Sequence, residues 1–289
     1  MKHLAFFFAF LLLLSLLFGC AHFEQTDIAA STLPVYEFTS RLCQGTGLSV
    51  SCLVSENISC LHDYTLQVRQ MRAIQSADTV VISGAGLEDF LEDALFNANN
   101  IIDASHGIAL AESGHHEHSG GHSHPNDPHI WLSTQNAIQM CENICQALAG
   151  LYPQHCSIFQ SNLNALTSDL EALQAYGENA LADLSCRKLV TFHDGFSYLA
   201  ESFHLSILAS VEEESGSEAS AAQLVELIDL VRNHNLPAVF VEKNGADSAA
   251  NIIAMETGIS LYCLDMALSG NSYFDAMYHN INTLQEALK

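Results

Sequence analysis

Three histidines stand in short polar segments beside apolar runs. His62 lies in Leu61-His62-Asp63-Tyr64, His129 in Asp127-Pro128-His129-Ile130-Trp131, and His193 in Phe192-His193-Asp194-Gly195. A neutral imidazole is a metal ligand, and three of them favour zinc over manganese or calcium, which prefer oxygen. An acidic residue stands close to each, and Asp63 and Asp194 are expected to accept the other ring N–H, fixing the tautomer that a bound imidazole requires. Zinc takes four protein ligands in a holding site, and three plus water in a catalytic one. Asp265, in Cys263-Leu264-Asp265-Met266, is the expected fourth ligand, with Glu242, ending Val239-Phe240-Val241, as its competitor. A zinc-dependent hydrolase is the competing chemistry; it needs an open coordination position and a general base, which Asp63 or Asp194 would have to supply. Other catalytic signatures are missing from the sequence. There is no G-x-S-x-G elbow, and Gly84-Ala85-Gly86-Leu87 lacks the third glycine of a dinucleotide fingerprint, so it reads as a tight turn.

A second group, His115, His116, His118, His122 and His124, falls within the Gly- and Ser-containing stretch 114–124. It has no apolar period, so it is expected to be a loop that gathers zinc weakly. The acidic run Glu212-Glu213-Glu214 with Glu218 reads as a solvated loop. Cysteine is the remaining ligand type. Eight follow Cys20, and with no C-x-x-C pair they do not form a zinc ribbon; Cys141 and Cys145 lie one turn apart on an expected helix, open either to a bridge with Cys156 or to remaining thiols.

These side chains need elements to hold them, and the chain reads as two similar halves. In the first, Leu33-Pro34-Val35-Tyr36 leads into a helix, Leu48 to Val54 alternates like a strand, Gln67 to Ser76 is helical, and Asp78 to Ser83 is a β-branched strand. In the second, strands are expected at Lys188 to Phe192, Ala238 to Val241 and Ser260 to Leu264. Helices are expected between them at Phe196 to Phe203, Ala221 to His234 and Ala246 to Thr257. Strands alternating with helices predict parallel sheets with helices on both faces, and such sheets place sites in the loops at strand ends. Between the halves, Phe159, Leu163, Leu166, Leu170, Leu173, Ala180 and Leu184 recur at helical spacing. They predict one long helix from about His155 to Asp183, with Gly177 as its weak point.

Composition sets the outer bounds. The chain has 289 residues, 49% of them hydrophobic and 15% charged, enough for two globular units and far from a disordered composition. Lys plus Arg number 9 against 33 Asp plus Glu, a net charge of −24, so charge argues against a nucleic-acid partner and makes cations the natural partners. Met1-Lys2-His3 followed by the apolar run Leu4 to Phe18 reads as an export signal, too short to cross about 30 Å of hydrocarbon comfortably. Leu17-Phe18-Gly19-Cys20 resembles the lipobox of bacterial lipoproteins, in which Cys20 would carry the lipid. The expected divisions are a signal peptide over 1–19, a lipid-anchored tether over 20–30, a first α/β lobe over 31–152, a linking helix over 153–184 and a second α/β lobe over 185–289.

Taken in order, these segments resemble the zinc-specific solute-binding lipoproteins of bacterial metal ABC importers, a cluster that also holds manganese binders and so-called adhesins. The matching segments are Val35-Tyr36-Glu37-Phe38-Thr39, His62-Asp63-Tyr64, Gly84-Ala85-Gly86-Leu87-Glu88, Asp127-Pro128-His129-Ile130-Trp131-Leu132-Ser133, Phe192-His193-Asp194, Ala221-Ala222-Gln223-Leu224, Val239-Phe240-Val241-Glu242 and Glu256-Thr257-Gly258. The resemblance implies two α/β lobes joined by a rigid helix with a metal cleft between them. By the family pattern, His62 and His129 come from the first lobe and His193 and Asp265 from the second. Its manganese members tend to carry a carboxylate where His193 stands, which puts this chain on the zinc side. It further implies Zn2+ as a transported ligand, an importer permease with its cytoplasmic ATPase as partners, attachment to the outer face of the cytoplasmic membrane, a monomer, and no enzymatic activity. A manganese or iron importer component and an adhesive surface protein are the alternatives within the cluster. The chain departs from the pattern in three places: Ser59-Cys60-Leu61 precedes His62 where Pro and Gly are usual, Met266 replaces a Pro after Asp265, and Lys243-Asn244 follows Glu242 where Pro is more usual.

Overall fold

The computed structural model describes residues 26–55, 61, 64–112, 126–211 and 219–289. Two four-stranded sheets, all parallel, carry the fold. The first runs β2-β1-β3-β4, built from β1 (Ile28–Ala30), β2 (Val50–Cys52), β3 (Thr79–Ile82) and β4 (Ile101–Asp103). The second runs β6-β5-β7-β8, built from β5 (Lys188–Phe192), β6 (Ser206–Ser210), β7 (Ala238–Glu242) and β8 (Ser260–Leu264). The two orders are the same, so each sheet has its topological switch between its first and third strands, where open parallel sheets place their ligands.

Helices cover both faces, as parallel strands require. In the first half these are α1 (Leu33–Leu42), α2 (Val68–Ser76), the single turn α3 (Glu92–Leu95) and α4 (Thr134–Leu151). Then α5 (Cys156–Ala180) runs between the halves, and α6 (Ser197–Ser202), α7 (Ala221–His234), α8 (Ser248–Thr257) and α9 (Tyr273–Leu288) follow. Local chemistry sets several of the starts. Pro34 stands in the first turn of α1, Ser133 accepts the Asn136 N–H at the start of α4, and Ser220 with Gln223 closes a reciprocal capping box on α7.

The expected strands and helices are found to within a few residues, with one correction. Residues 28–30 are not tether. They form β1, the strand between β2 and β3, and all three are fully buried. Three residues rich in alanine give no β-branched run to read, and the sheet decides their conformation. The long helix is also shorter at each end than its apolar period suggests. Pro153 opens a separate 3-10 turn before it. Beyond Ala180 the Arg187 guanidinium serves as the cap, donating to the Leu181 and Ala182 carbonyls at 2.8 and 2.9 Å.

One hydrophobic core joins the halves. It contains Ile28, Val35 and Phe38 from the first, Phe159, Leu163, Leu166, Leu170 and Leu173 from α5, and Leu189, Phe240, Leu264 and Ile281 from the second. The outer faces of the sheets bury separate clusters, around Val80 and Ile74 on one and Val190 and Val239 on the other. Gly177 is where α5 meets this core most closely. A Cβ there would stand 2.3 Å from Cε1 of Phe203 and 3.1 Å from Cδ1 of Ile281, so the glycine is a seat for a buried ring. Seven cysteines fall among the described residues (Cys43, Cys52, Cys141, Cys145, Cys156, Cys186 and Cys263), and all are free thiols. Burial pushes Cys43 up to about 12 and Cys52 to about 11, and holds Cys141 well above the usual thiol range. No helix among the described residues is long and apolar enough to cross a membrane.

At the switch of the first sheet, the loops after β1 and β3 are tied to one carboxylate. Glu88 Oε1 accepts the Ser31 hydroxyl and the Ser83 N–H, each at 2.6 Å, while Oε2 accepts the Gly84 N–H at 3.0 Å. The tight turn expected at Gly84-Ala85-Gly86 is present, with φ of 84°, 57° and 87°. Gly84 is obligatory there twice over, because a Cβ would also fall 1.9 Å from Asp103 Oδ1.

Two outcomes follow. Gly177→Ala should lower stability by about 1–3 kcal/mol through overpacking, although Ala is the better helix former. Gly150→Ala on α4, where a Cβ meets nothing within 4 Å, should raise it; urea melts of both variants check the contrast. Burial raises the Glu88 carboxyl from 4.5 to about 7. The folded state therefore holds a proton that the unfolded state releases, so stability from this group is full below pH 4.5 and falls as pH rises through about 7, by at most about 3 kcal/mol. Glu88→Gln should flatten the stability profile between about pH 5 and 8 relative to the parent, as measured by melts across that range.

Candidate metal centre

The sheet registers place two of the site residues. Thr191 pairs with Phe240 and Phe192 with Val241, so the next positions, His193 after β5 and Glu242 ending β7, face each other at the switch of the second sheet. Their side chains meet there, His193 Nδ1 standing 3.1 Å from Glu242 Oε2, with both groups buried. The same register logic on β7 and β8 pairs Glu242 with Leu264 and puts Asp265 just past the edge.

His129 comes from the other half, on the loop that leads into the 3-10 turn Ile130–Leu132. Asp127 Oδ1 accepts its backbone N–H at 2.9 Å and lies 2.8 Å from its Nδ1. Each of the two imidazoles therefore has a buried carboxylate on Nδ1. At His129 the Asp127 hydrogen bond favours the tautomer with hydrogen on Nδ1, which makes Nε2 the nitrogen with the lone pair. The two rings lie against each other edge to face, with centroids 5.2 Å apart. Gly195 permits this approach: a Cβ there would stand 2.7 Å from His129 Nδ1 and 2.3 Å from Cε of Met266.

Asp265 is buried and fixed from several sides. Its backbone exchanges hydrogen bonds with the fully buried Asn280 side chain, N–H to Oδ1 and Nδ2–H to the carbonyl, each at 2.7 Å. Its Oδ1 accepts the Ala267 N–H at 2.8 Å, with Ala267 in the left-handed region at φ 57°, and its Oδ2 accepts the Lys243 ammonium at 2.7 Å.

Hydrogen bonds across the halves hold the His129 loop in place. The Trp131 indole N–H donates to the Met266 carbonyl at 2.8 Å, and the Tyr273 hydroxyl donates to the Trp131 carbonyl at 2.9 Å. Tyr198 donates its hydroxyl proton to the Asp127 carbonyl at 2.9 Å and accepts the Ala111 N–H at 3.0 Å; burial raises its phenol above the usual range. Further out, the Tyr273 N–H donates to Glu37 at 2.5 Å, and burial raises that carboxyl too.

His62 with Asp63, the five loop histidines, the acidic run at Glu212–Glu214 with Glu218, and Cys20 lie outside the described residues. Leu61 and Tyr64, on either side of His62 and Asp63, are described: Leu61 is buried and its carbonyl accepts the Tyr64 N–H at 3.0 Å. Among the described residues, no group of three or more His, Cys, Asp and Glu side chains is gathered to hold an ion by itself. What the structure brings together is His129 with His193, and each with a carboxylate. Glu242, a competing ligand on the sequence reading, is set against Nδ1 of His193, the role expected of Asp194. The signal for it lies in the pairing of β5 with β7. Tyr198 and Asn280 carry no motif, and Lys243 stands out in sequence only as a departure from the family pattern.

Comparison with known proteins gives the family. Residues 28–287 match the family of the zinc-uptake complex component A, periplasmic. The chain belongs to that family. Its members are metal-binding solute-binding proteins, so this is not an enzyme. A putative metal-binding protein of Treponema pallidum is 28% identical over 92% of this chain and 88% of its own length. The zinc-binding lipoprotein AdcA of Streptococcus pneumoniae is 30% identical over 93% of this chain, which spans 58% of that longer protein. The crystal structure of the Zn(II)-bound ZnuA-like domain of the same protein superposes with a TM-score of 0.76 at 26% identity, covering 92% of this chain and 99% of the domain. The two-lobe architecture with a long connecting helix is thus the family's.

Removing the Tyr198 hydroxyl tests how the halves are tied. Tyr198→Phe leaves the Ala111 N–H and the Asp127 carbonyl without this partner, and should cost about 1–2 kcal/mol. Urea melts give the loss, and hydrogen exchange at the Ala111 amide should quicken.

Proposed function

We propose that this protein is the extracytoplasmic zinc-binding component of an ABC importer, capturing Zn2+ between its two lobes and delivering it to a membrane permease driven by a cytoplasmic ATPase. The observation that carries this reading is the pair His129 and His193, one from each half, in edge contact and each with Nδ1 on a buried carboxylate. Two such imidazoles offer Nε2 lone pairs from opposite walls of one cleft. His62 supplies the third nitrogen and Asp265 the fourth ligand, a tetrahedral set suited to zinc. Glu242 and Asp127 act on the histidines and leave the ion to them, raising imidazole basicity and holding ring direction.

The remaining parts serve the same task. Residues 1–19 export the chain, and Cys20 carries the lipid that keeps it, as a monomer, on the outer face of the cytoplasmic membrane. The tether is then 20–27, since β1 begins at Ile28. His115, His116, His118, His122 and His124 collect ions weakly beside the cleft, in a molecule whose net charge of −24 draws cations toward it.

Equilibrium dialysis against equal Zn2+, Mn2+ and Fe2+, followed by elemental analysis, should leave one tightly held zinc. Retention of manganese or iron in its place overturns the zinc assignment. In competition with a chromogenic chelator, His129→Ala and His193→Ala should each weaken zinc binding by orders of magnitude, as tetrahedral closure is lost, and Glu242→Gln by about 10–100-fold. Deleting 114–124 should remove only the weak equivalents.

A further inference from the structure

Asp265 has both carboxylate oxygens engaged, and one partner is a cation of this chain. Lys243 Nζ stands 2.7 Å from Oδ2, while Oδ1 is held by the Ala267 N–H. The carboxylate side chain is 8% exposed and the lysine 43%, so the ammonium reaches in from solvent to a buried charge. The backbone dictates this reach. Lys243 directly follows Glu242, its N–H donates to the Leu264 carbonyl at 2.8 Å, and Nζ passes over Gly270, where a Cβ would lie 3.8 Å away. Only 9 residues of the chain are Lys or Arg, and one of them neutralises the carboxylate of the cleft.

We propose that Lys243 is a specificity-determining residue, whose ammonium competes with an incoming divalent ion for Asp265. The inference rests on the reading of His129, His193 and Asp265 as ligands. An ion that enters must displace the ammonium from Oδ2 or do without that oxygen. Zinc, satisfied largely by imidazole nitrogen, loses little; manganese, which relies on carboxylate oxygen, loses more. The displaced ammonium has water to go to, because its side chain is partly exposed. When the ion leaves, the ammonium returns, so the emptied cleft does not hold an unpaired buried carboxylate. A lysine suits this exchange, being a flexible single-point donor that lacks the two-pronged grip of arginine.

The test measures zinc and manganese affinity by chelator competition for the parent, Lys243→Gln, Lys243→Arg, Asp265→Asn and the Lys243→Gln/Asp265→Asn double variant. Lys243→Gln keeps a hydrogen-bond donor near Oδ2, and circular dichroism melts confirm that each variant is folded. Expected are a gain of about fivefold for zinc and about thirtyfold or more for manganese in Lys243→Gln, with the parent preference kept in Lys243→Arg. In the Asp265→Asn background, adding Lys243→Gln should change neither affinity more than about twofold, since the shared partner is gone. An unchanged zinc-to-manganese ratio in Lys243→Gln overturns the proposal. So does an undiminished effect in the Asp265→Asn background, which would make Lys243 a distant charge only. His193→Ala is the separate control: tight zinc retained there overturns the site itself, and tight zinc lost there with Lys243→Gln neutral overturns only the role of Lys243.

Discussion

The arrangement depends on buried carboxylates whose oxygens are directed at imidazoles and backbone N–H groups. Asp127 meets both the backbone N–H and Nδ1 of His129, Glu242 meets Nδ1 of His193, and Glu88 gathers three donors from two loop ends. A carboxylate taken out of water is costly unless it is well supplied with donors, so each of these acids fixes the direction of whatever it binds. The consequence is a pair of buried imidazoles, His129 and His193, each with a carboxylate within reach of Nδ1.

Parallel sheet topology makes the arrangement possible and repeats it. In both halves the switch lies between the first and third strands of the sheet. On the first sheet Glu88 closes that gap; on the second, His193 and Glu242 occupy it. The same architectural position is a structural clamp in one lobe and carries a histidine–carboxylate pair in the other. The shared core along α5 and the Trp131, Tyr198 and Tyr273 hydrogen bonds then tie together what the sequence presents as two similar pieces.

Much of this is legible in the sequence. The strands Lys188 to Phe192 and Ser260 to Leu264, and the helix Ala221 to His234, carry enough β-branched or amphipathic pattern that their bounds coincide with the structure. Short strands are another matter: Ile28–Ala30 and Ile101–Asp103 are three residues each, too few to show a period, and only pairing makes them strands, the first with β2 and β3 and the second with β3. The histidines stand out because an imidazole beside an acid in a polar segment is chemically pointed, although only His193 lies at a strand end and His129 leads into a 3-10 turn. Asp127 is legible beside His129, but Glu242 lies far from His193 in sequence and Tyr198 far from Asp127, so nothing local announces them. Gly177 is legible as a defect in the helix but not as a seat, since nothing local announces the Phe203 ring.

The buried cysteines have a consequence for a molecule of a metal-binding family. Sulfur binds zinc well, but only as thiolate. With Cys43 held to about 12, Cys52 to about 11 and Cys141 well above an ordinary thiol, these three sulfurs stay protonated near neutral pH. Forming a thiolate, the state in which sulfur takes zinc, is thus made more costly at these three positions. Cys43 and Cys141 are packing material in the shared core, and the Cys52 thiol donates to the Val54 carbonyl.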